Sequence, residues 1–235
     1  MTNRSPVFRN SILLRNLPAD VCGRLEQQVE HIDAPHGMDL YMPDEKIKNL
    51  YFPVSSMASV VATTDAGESV EIGIIGPEGI VAYEVFMGAD SLPHRSMIQI
   101  KGEVLKIGRA DAIAEFERGG PFQSRVLQFV QKMLMQVSQT TLCNRLHNVD
   151  RRLPRWLLMC HDRIDGDQLL ITQEFIALML GSSRVTVTQA ASRLQEKGLI
   201  RYSRGRITIV DRKALEDAAC SCYAIVRREY DRPYS

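Results

Sequence analysis

The chain has 235 residues, of which 45% are apolar, and a net charge of +1. This length allows one large domain or two small ones. The apolar runs fall far short of the ~20 residues of a membrane span, and the opening MTNRSPVFRN lacks a secretory pattern. Five cysteines, an odd number, favour reduced thiols over a disulfide framework. We therefore expect a cytoplasmic protein without a membrane partner.

The charge is distributed unevenly along the chain. Residues 1–144 carry 13 Lys/Arg against 17 Asp/Glu, a net of −4, whereas residues 145–235 carry 16 against 11, a net of +5. Residues 171–213 alone carry a net charge of +5, and all of this positive surplus lies from Arg184 onward. A basic C-terminal region joined to an acidic N-terminal region is typical of a protein that binds nucleic-acid phosphates with one domain. A basic surface that is merely solvated would give the same pattern.

The first half of the chain predicts one helix and then a series of short strands. Leu17, Val21, Leu25 and Val29 recur every four residues and predict a helix over 17–29. The runs KNLYFPV, MASVVAT, SVEIGII, RSMIQI and EVLKI follow, separated by turn signals such as DAGE and GPEG. Short strands at regular spacing indicate an antiparallel sandwich or roll, and ADAIAEFERGG indicates a helix after it.

Residues 121–147 form the longest predicted helix. It has two neighbouring apolar faces, which suggests two partners: the sheet domain and a second copy across a two-fold axis. The alternative is a helix buried entirely within its own chain. One face carries Leu127, Leu134 and Leu142. The other recurs at i, i+4, i+7 and i+11, and we assign the dimer contact to its residues Val126, Val130, Met133 and Val137.

A boundary follows this helix near residues 147–150. Asn148 and Asp150 are candidate caps where one helix ends and the next begins. Pro154 lies inside the next helical pattern and is expected to bend or stiffen the joint, unless it falls in the first turn.

Residues 172–210 predict two short helices and a hairpin. Thr172 can cap a helix that runs to about Leu180, Gly181 supplies a tight turn, and Ser183 can cap a second helix over 184–196. The strands LIRYS and RITIV follow, joined by Arg204-Gly205. This arrangement predicts a helix-turn-helix with a β-hairpin wing. The alternative is a helical hairpin that only packs against the core.

The stretch ITQEFIALMLGSSRVTVTQAASRLQEKGLI closely resembles the helix-turn-helix of the Crp/Fnr family of bacterial transcription regulators, and the resemblance covers the whole chain. The segments CNRLHNVDRRLPRWLLMCHDR and GPEGIVAYEVFMGADSLPHRS resemble a branch whose effector is mostly undefined. The family implies an α+β chain: a jelly-roll β-roll of the cyclic-nucleotide-binding type over 1–120, a dimerisation helix over 121–147, and a winged helix-turn-helix over 148–235.

The resemblance also implies what such a protein does. A homodimer would bind a palindromic operator on double-stranded DNA, with its recognition helices in successive major grooves about one helical turn apart. It would act with RNA polymerase under the control of an effector, and it would not be an enzyme.

The resemblance places the base-reading residues at the start of the second helix. The family's frequent pattern there is Ser-Arg-Glu-Thr-Val with a later Arg; this chain keeps Arg184 but has Val185 for the Glu and Gln189 for the later Arg. Arg suits guanine, Gln suits adenine, and Val can only touch a thymine methyl. Thr188 completes the base-reading set. The predicted phosphate contacts are Thr172, Ser183, Thr186, Arg193, Arg204 and Arg206.

The resemblance places the effector pocket in the segment that begins GPEG. Cyclic-nucleotide-binding members have Gly-Glu-Leu there and Arg-Ser/Thr near its end. Here Gly79 is followed by Ile80 and Val81, so the acid that holds the ribose is missing, whereas Arg95 and Ser96 remain. We therefore expect neither cAMP nor cGMP as effector and assign no cofactor.

Two other functional hypotheses depend on the cysteine and histidine residues. A redox- or metal-responsive regulator could use Cys143, His147 and Cys160, but no paired CxxC motif is present, so we expect buried thiols, with Cys220 and Cys222 close in sequence, and no metal. A cupin-like β-roll enzyme would need a His-x-His pair, which His31, His36 and His94 do not form. The glycines of GIIGPEG follow no βαβ pattern and are interpreted as turn residues.

Overall fold

The computed structural model describes residues 8 and 10–234. Most of the opening stretch MTNRSPVFRN therefore lies outside the described residues. Among the residues that are described, no helix is long and apolar enough to span a membrane. They form two compact units. One comprises residues up to Val60, Ile75–Leu134 and the residues from Arg232 onward, and the other comprises Val61–Ile74 and Met135–Asp231.

The N-terminal half is an antiparallel roll, as the strand pattern predicts. One sheet has the order β1-β7-β3 and the other β2-β6-β4-β5. In the first sheet β7 pairs antiparallel with both neighbours, so Ile107 lies opposite Val29 on one side and Leu50 on the other. The strands are β1 (Val29–Ala34), β2 (Asp39–Tyr41), β3 (Asn49–Pro53), β4 (Met57–Thr63), β5 (Ser69–Ile75), β6 (Arg95–Ile100) and β7 (Gly102–Gly108).

The helices follow the predicted apolar periodicity, except that the first one ends at Glu26, and Val29, predicted as helical, begins β1. They are α1 (Ala19–Glu26), a 3₁₀ helix (Tyr83–Met87), α2 (Arg109–Glu117), α3 (Pro121–Leu146) and α4 (Val149–His161). Aromatic side chains join the first half of α3 to the roll. The Phe122 ring lies 6.4 Å from Phe52, and the Phe129 ring lies 5.6 Å from Tyr83 in an edge-on arrangement. Such edge-on pairs add to the stabilisation that burial alone provides.

The face of α3 that we assigned to a dimer contact is mostly core. Val126, Val130 and Met133 are buried within the first unit, and Val137 is half-buried. The apolar residues left open are on the neighbouring face: Leu127 is 51% and Leu134 62% exposed. The assignment to Val126, Val130 and Met133 is therefore wrong. Periodicity finds both apolar faces of a helix, but it does not show which face packs on its own chain.

The second unit includes the outer part of the β4–β5 hairpin. The Gln136 side-chain amide donates to the Ile74 carbonyl and accepts from the Ile74 N–H, both at 3.1 Å. The Trp156 indole N–H donates to Glu71 at 2.8 Å, which satisfies both buried polar groups. Compactness thus divides the chain inside α3, whereas the functional division into 1–120, 121–147 and 148–235 stays a prediction.

Helix α4 begins at Val149, directly after the predicted boundary, with Asn148 in the N-cap position. Pro154 falls in the sixth position of the helix, beyond the first turn, and the helix continues through it to His161. The winged region follows as β8 (Gln168–Leu169), α5 (Gln173–Met179), α6 (Arg184–Glu196), β9 (Ile200–Ser203), β10 (Arg206–Ile209), α7 (Arg212–Ala218) and α8 (Cys222–Tyr230), with the strand order β8-β10-β9. The strand β8 was not predicted.

Candidate DNA-binding surface and effector pocket

Two side-chain caps and one glycine set the geometry of the helix-turn-helix. The Thr172 hydroxyl oxygen accepts from the Phe175 N–H at 3.1 Å, and the Ser183 hydroxyl oxygen accepts from the Thr186 N–H at 3.1 Å. Between the two helices Gly181 has a φ of +54°, a left-handed value that strains other residues. The predicted caps and turn are confirmed, and the Ser183 hydroxyl also lies 2.8 Å from the Thr186 hydroxyl, where either can be the donor.

The exposed edge of α6 carries three of the four predicted base-reading residues. Arg184 and Gln189 are exposed, and Val185 is 66% exposed although it is apolar. The opposite edge, with Val187 and Ala190, is buried. A helix with this division presents its first two turns to a partner while the rest packs on its own domain.

Thr188 differs from the other three. Its hydroxyl lies 2.7 Å from the Gln173 amide oxygen and 2.8 Å from the Arg184 carbonyl, and it donates its proton to one of them. A bond to Gln173 would join α6 to α5. Thr188 is less exposed than the other three residues, and its role in base reading stays a prediction.

The wing is a tight hairpin with cations at its tip. Arg204 and Gly205 have φ values of +48° and +76°, two successive left-handed residues of the kind that close two-residue hairpins. Arg204 and Arg206 are exposed. The wing thus carries two guanidinium groups of the kind that bind phosphates.

Charge pairing separates the basic residues of 171–213 into two groups. Arg193 pairs with Asp150 at 2.5 Å, Arg212 with Asp162 at 2.5 Å, and Lys213 with Asp217 at 3.4 Å. Within residues 10–234, no acidic side chain pairs with the members of the second group, Arg184, Lys197, Arg201, Arg204 and Arg206. Arg193 was predicted as a phosphate contact; its exposed ion pair with Asp150 competes with that role, which stays a prediction.

The first three predicted pocket residues are part of the core of the roll. Ile80 and Val81 are fully buried, and a Cβ on Gly79 would lie 2.3 Å from two carbons of the Phe129 ring. Gly79 is needed because helix α3 approaches the backbone there. The prediction that Gly79, Ile80 and Val81 line an effector pocket is therefore wrong.

Arg95 and Ser96 lie near a polar cluster that the sequence did not predict. The Ser96 hydroxyl, one Glu84 carboxylate oxygen and the His94 Nε2 are buried, and within the described part of the chain none has a hydrogen-bond partner. His94 Nε2 lies 3.6 Å from the other Glu84 oxygen, and the Tyr41 ring lies 5.9 Å from the His94 ring. Burial of this kind marks groups that a ligand or ordered water satisfies.

Two further observations describe this cluster. Burial, and then the charge of Glu84, raise the pKa of Tyr41 far above its usual range, so its phenol stays a neutral donor. The Arg95 guanidinium lies 2.7 Å from the Met97 sulfur and 3.9 Å from Asp39. Arg95 is therefore partly engaged by its own sheet.

Residues 151–218 match the model of the Crp-like helix-turn-helix domain. No curated protein matches the chain. Similar solved structures include a protein from Eubacterium rectale assigned to the Crp/Fnr family of transcriptional regulators, at 18% identity and a TM-score of 0.68 over 92% of this chain and 98% of that one. The chain therefore contains a Crp-like helix-turn-helix domain and shares its fold with structures of the Crp/Fnr type.

Two other structures extend the comparison. FixK2 from Bradyrhizobium japonicum is 16% identical with a TM-score of 0.70, over 82% of this chain and 98% of its own. TTHB099, a CRP-family transcriptional regulator from Thermus thermophilus, is 17% identical with a TM-score of 0.66, over 88% of this chain and 98% of its own. The Crp/Fnr fold is thus kept at low identity.

The Crp/Fnr fold of this chain also gathers residues from distant positions. Cys143 and His147 lie with Cys220 and Cys222, whereas Cys160, predicted as their partner, is not in the group. The Cys143 and Cys220 sulfurs are 3.5 Å apart, and either thiol can donate to the other. This hydrogen bond lowers the pKa of the Cys220 thiol, and it raises that of Cys143.

The histidines do not form a cupin-type site. Among the described residues, the group of Cys143, His147, Cys220 and Cys222 is the only set of three or more His, Cys, Asp or Glu placed to share a metal, and it contains none of His31, His36 and His94. The His36 ring instead bonds to the Gln99 carbonyl at 2.7 Å. The cupin reading therefore has no geometric support.

Proposed function

We propose that the protein is a homodimeric, sequence-specific DNA-binding regulator of transcription. The observation that carries the proposal is the exposed edge of α6, where Arg184, Val185 and Gln189 lie between a capped helix N-terminus and a cationic wing. Cations without acidic partners would meet the phosphates, and the helix edge would enter the major groove. A regulator, rather than an enzyme, accounts for this surface.

The three edge residues favour a particular half-site. The Arg184 guanidinium can donate two hydrogen bonds to O6 and N7 of guanine, and the Gln189 amide pairs in the same way with N6 and N7 of adenine. Val185 offers only an apolar contact, for example to a thymine methyl. We expect one guanine in each half-site with A·T character beside it, which differs from the half-site common in the family.

The dimer would use the open face of α3. Leu127 and Leu134 are seven residues apart, two helical turns, and lie on one line with exposed Thr141. An exposed leucine stripe on a long helix is what a parallel copy across a two-fold axis would cover. A two-fold dimer would present two copies of α6 to a palindromic operator.

An effector would act through the roll. The buried polar atoms of Glu84, His94 and Ser96 that have no hydrogen bond within the described residues offer donors and acceptors to a small polar ligand. We propose an effector other than cAMP or cGMP, because Ile80 and Val81 stand where relatives have the acid that holds ribose. Helix α3 has residues in both units, so we propose that it transmits effector binding to the joint at 147–150. The resulting change in DNA binding would determine whether the protein can contact RNA polymerase at the promoter. Calorimetric titration with cAMP tests this; micromolar affinity would contradict it.

Selection of binding sites from random duplex DNA tests the main proposal. The purified protein should enrich a palindrome whose half-sites lie about one helical turn apart. Its affinity should fall steeply with salt, since each phosphate contact contributes about −0.9 to the logarithmic slope. Failure to enrich any sequence, with or without a cell extract as source of effector, would contradict DNA recognition. Recovery of the family's common half-site would contradict the assignment of Val185 and Gln189.

A further inference from the structure

The second unit contains a compact group of four soft ligands, the cysteine–histidine cluster, made of Cys143, His147, Cys220 and Cys222. Their candidate ligand atoms, three sulfurs and one ring nitrogen, all lie within 4.8 Å of one another. Cys143 and His147 are four residues apart at the end of α3. Cys220 and Cys222 come from the junction between α7 and α8. Cys220 is 77 residues from its neighbour Cys143, and Cys222 is 75 residues from its neighbour His147.

The distances within the cluster fit a tetrahedral metal ion. Zn–S bonds of about 2.3 Å and Zn–N bonds of about 2.0–2.1 Å place the ligand atoms of a tetrahedral site roughly 3.5–3.8 Å apart. The Cys143 and Cys220 sulfurs are 3.5 Å apart, and the Cys222 sulfur lies 3.6 Å from the His147 Nδ1. The four candidate ligand atoms thus lie close enough together to share one ion after small side-chain adjustments.

The surroundings suit a structural ion. All three cysteines are buried and His147 is half-buried, so no open position remains for a substrate. Three thiolates and Zn²⁺ would carry a net charge of −1. Two nearby guanidinium groups, of Arg152 and Arg155, interact electrostatically with Cys143, and each has a buried Nε without a hydrogen-bond partner among the described residues. Arg155 is buried and Arg152 is half-buried, so an anionic metal centre would supply both cations with a counter-charge.

We propose that Cys143, His147, Cys220 and Cys222 form a Cys₃His zinc site that joins the end of α3 to the α7–α8 junction. Soft thiolate ligands in tetrahedral geometry with one imidazole select Zn²⁺ over the oxygen-preferring ions. The site would close a loop of more than 70 residues around α4 and the winged helix. Zinc binding requires only that the three thiols release their protons to solvent.

Metal analysis of the full-length, untagged protein tests the site. Protein purified under reducing conditions and dialysed against a weak chelator should retain one zinc per chain. Replacement with Co²⁺ should give the ligand-field bands of a tetrahedral site and a sulfur-to-cobalt charge-transfer band in the near ultraviolet. Cys220→Ser and His147→Gln should each lower zinc affinity at least 10-fold in a competition with a chromophoric chelator. The matched controls Cys22→Ser and Cys160→Ser change buried cysteines outside the cluster and should leave the stoichiometry unchanged.

Three results would overturn the proposal. The first is a wild-type protein that loses its zinc to the weak chelator and shows no sulfur-to-cobalt band. The second is a Cys143–Cys220 disulfide in the purified protein, identified by a mass lower by two hydrogens, which would indicate a redox pair. The third is unchanged zinc affinity in Cys220→Ser. If that variant does not fold, the cobalt spectrum of the wild type decides, because its charge-transfer intensity reports thiolate ligands directly.

Discussion

The helix-turn-helix and the β-roll of this chain are built from different kinds of contact. In the helix-turn-helix, each defining interaction joins residues close in sequence, such as the Thr172 and Ser183 caps, which span three residues each. In the roll, the polar cluster joins Tyr41 and Ser96, which are register partners on β2 and β6, to Glu84 from the 3₁₀ helix. A DNA-binding surface of this kind can therefore be predicted from a short sequence motif. A pocket depends on tertiary contacts between residues that are distant in sequence.

Leu134→Glu should have the largest effect on the DNA-reading side of this comparison. The substitution would place a carboxylate against its own copy on the dimer axis, at a cost of about 3–5 kcal/mol for a buried unpaired charge. We expect a monomer in sedimentation velocity and a loss of operator affinity of more than 100-fold. Met87→Glu, at an exposed apolar residue of the 3₁₀ helix, is the control. A dimeric L134E protein would show that α3 is not the interface.

Arg184→Ala should weaken operator binding by about 1–3 kcal/mol and relax the preference for guanine at one position. The reason is the loss of a bidentate contact that no other exposed residue of α6 replaces. Fluorescence anisotropy with operators that vary at that base measures both effects. Lys213→Ala removes a basic residue that is paired with Asp217, and should change affinity little. Equal losses in the two variants would indicate binding by charge alone.

Gly79→Ala probes the roll, where we expect a loss of stability. The added Cβ would lie 2.3 Å from the Phe129 ring and 2.8 Å from an Ile75 methyl, so the core must shift. Overpacking of this kind costs about 1–3 kcal/mol, which thermal denaturation detects. Gly23→Ala is the matched control, because nothing lies within 4 Å of its Cβ in helix α1, and it should gain up to about 1 kcal/mol. A stable Gly79→Ala protein would reopen the pocket assignment.

Arg193→Ala should have the smallest effect. Its partner Asp150 is exposed, and exposed ion pairs contribute about 0–1 kcal/mol. We therefore expect near-native stability and operator affinity, measured by denaturant unfolding and anisotropy. A 10-fold loss of affinity would support the prediction that Arg193 contacts phosphate, and would mean that the Asp150 pair opens on DNA.

The sequence predicts the elements well, because their signals are local. The caps at Thr172 and Ser183 and the hairpin at Arg204-Gly205 depend on residue types within a few positions, and the structure confirms them. The face of α3 was misassigned, since Val126 and Leu127 belong to two apolar faces of similar character. Only packing within the chain distinguishes them.

The parts that could not be predicted depend on tertiary approach. The polar cluster has no motif, because Glu84 lies in the 3₁₀ helix and His94 lies ten residues later in the bend before β6. The cysteine–histidine cluster joins positions 143–147 to 220–222, and its only sequence signals are the four-residue spacing of Cys143 and His147 and the close pair Cys220 and Cys222. Each spacing is visible in the sequence, but nothing in the sequence indicates that the two pairs lie next to each other in the fold.

The most direct measurement is a parallel selection of DNA sites by the wild type and by the double variant Val185→Glu, Gln189→Arg. If the exposed edge of α6 reads bases, the variant should recover the half-site common in the family, while the wild type keeps one guanine beside A·T pairs. Both proteins should enrich palindromes of the same spacing, because the dimer is unchanged. Identical half-sites from the two proteins would contradict base reading by Val185 and Gln189.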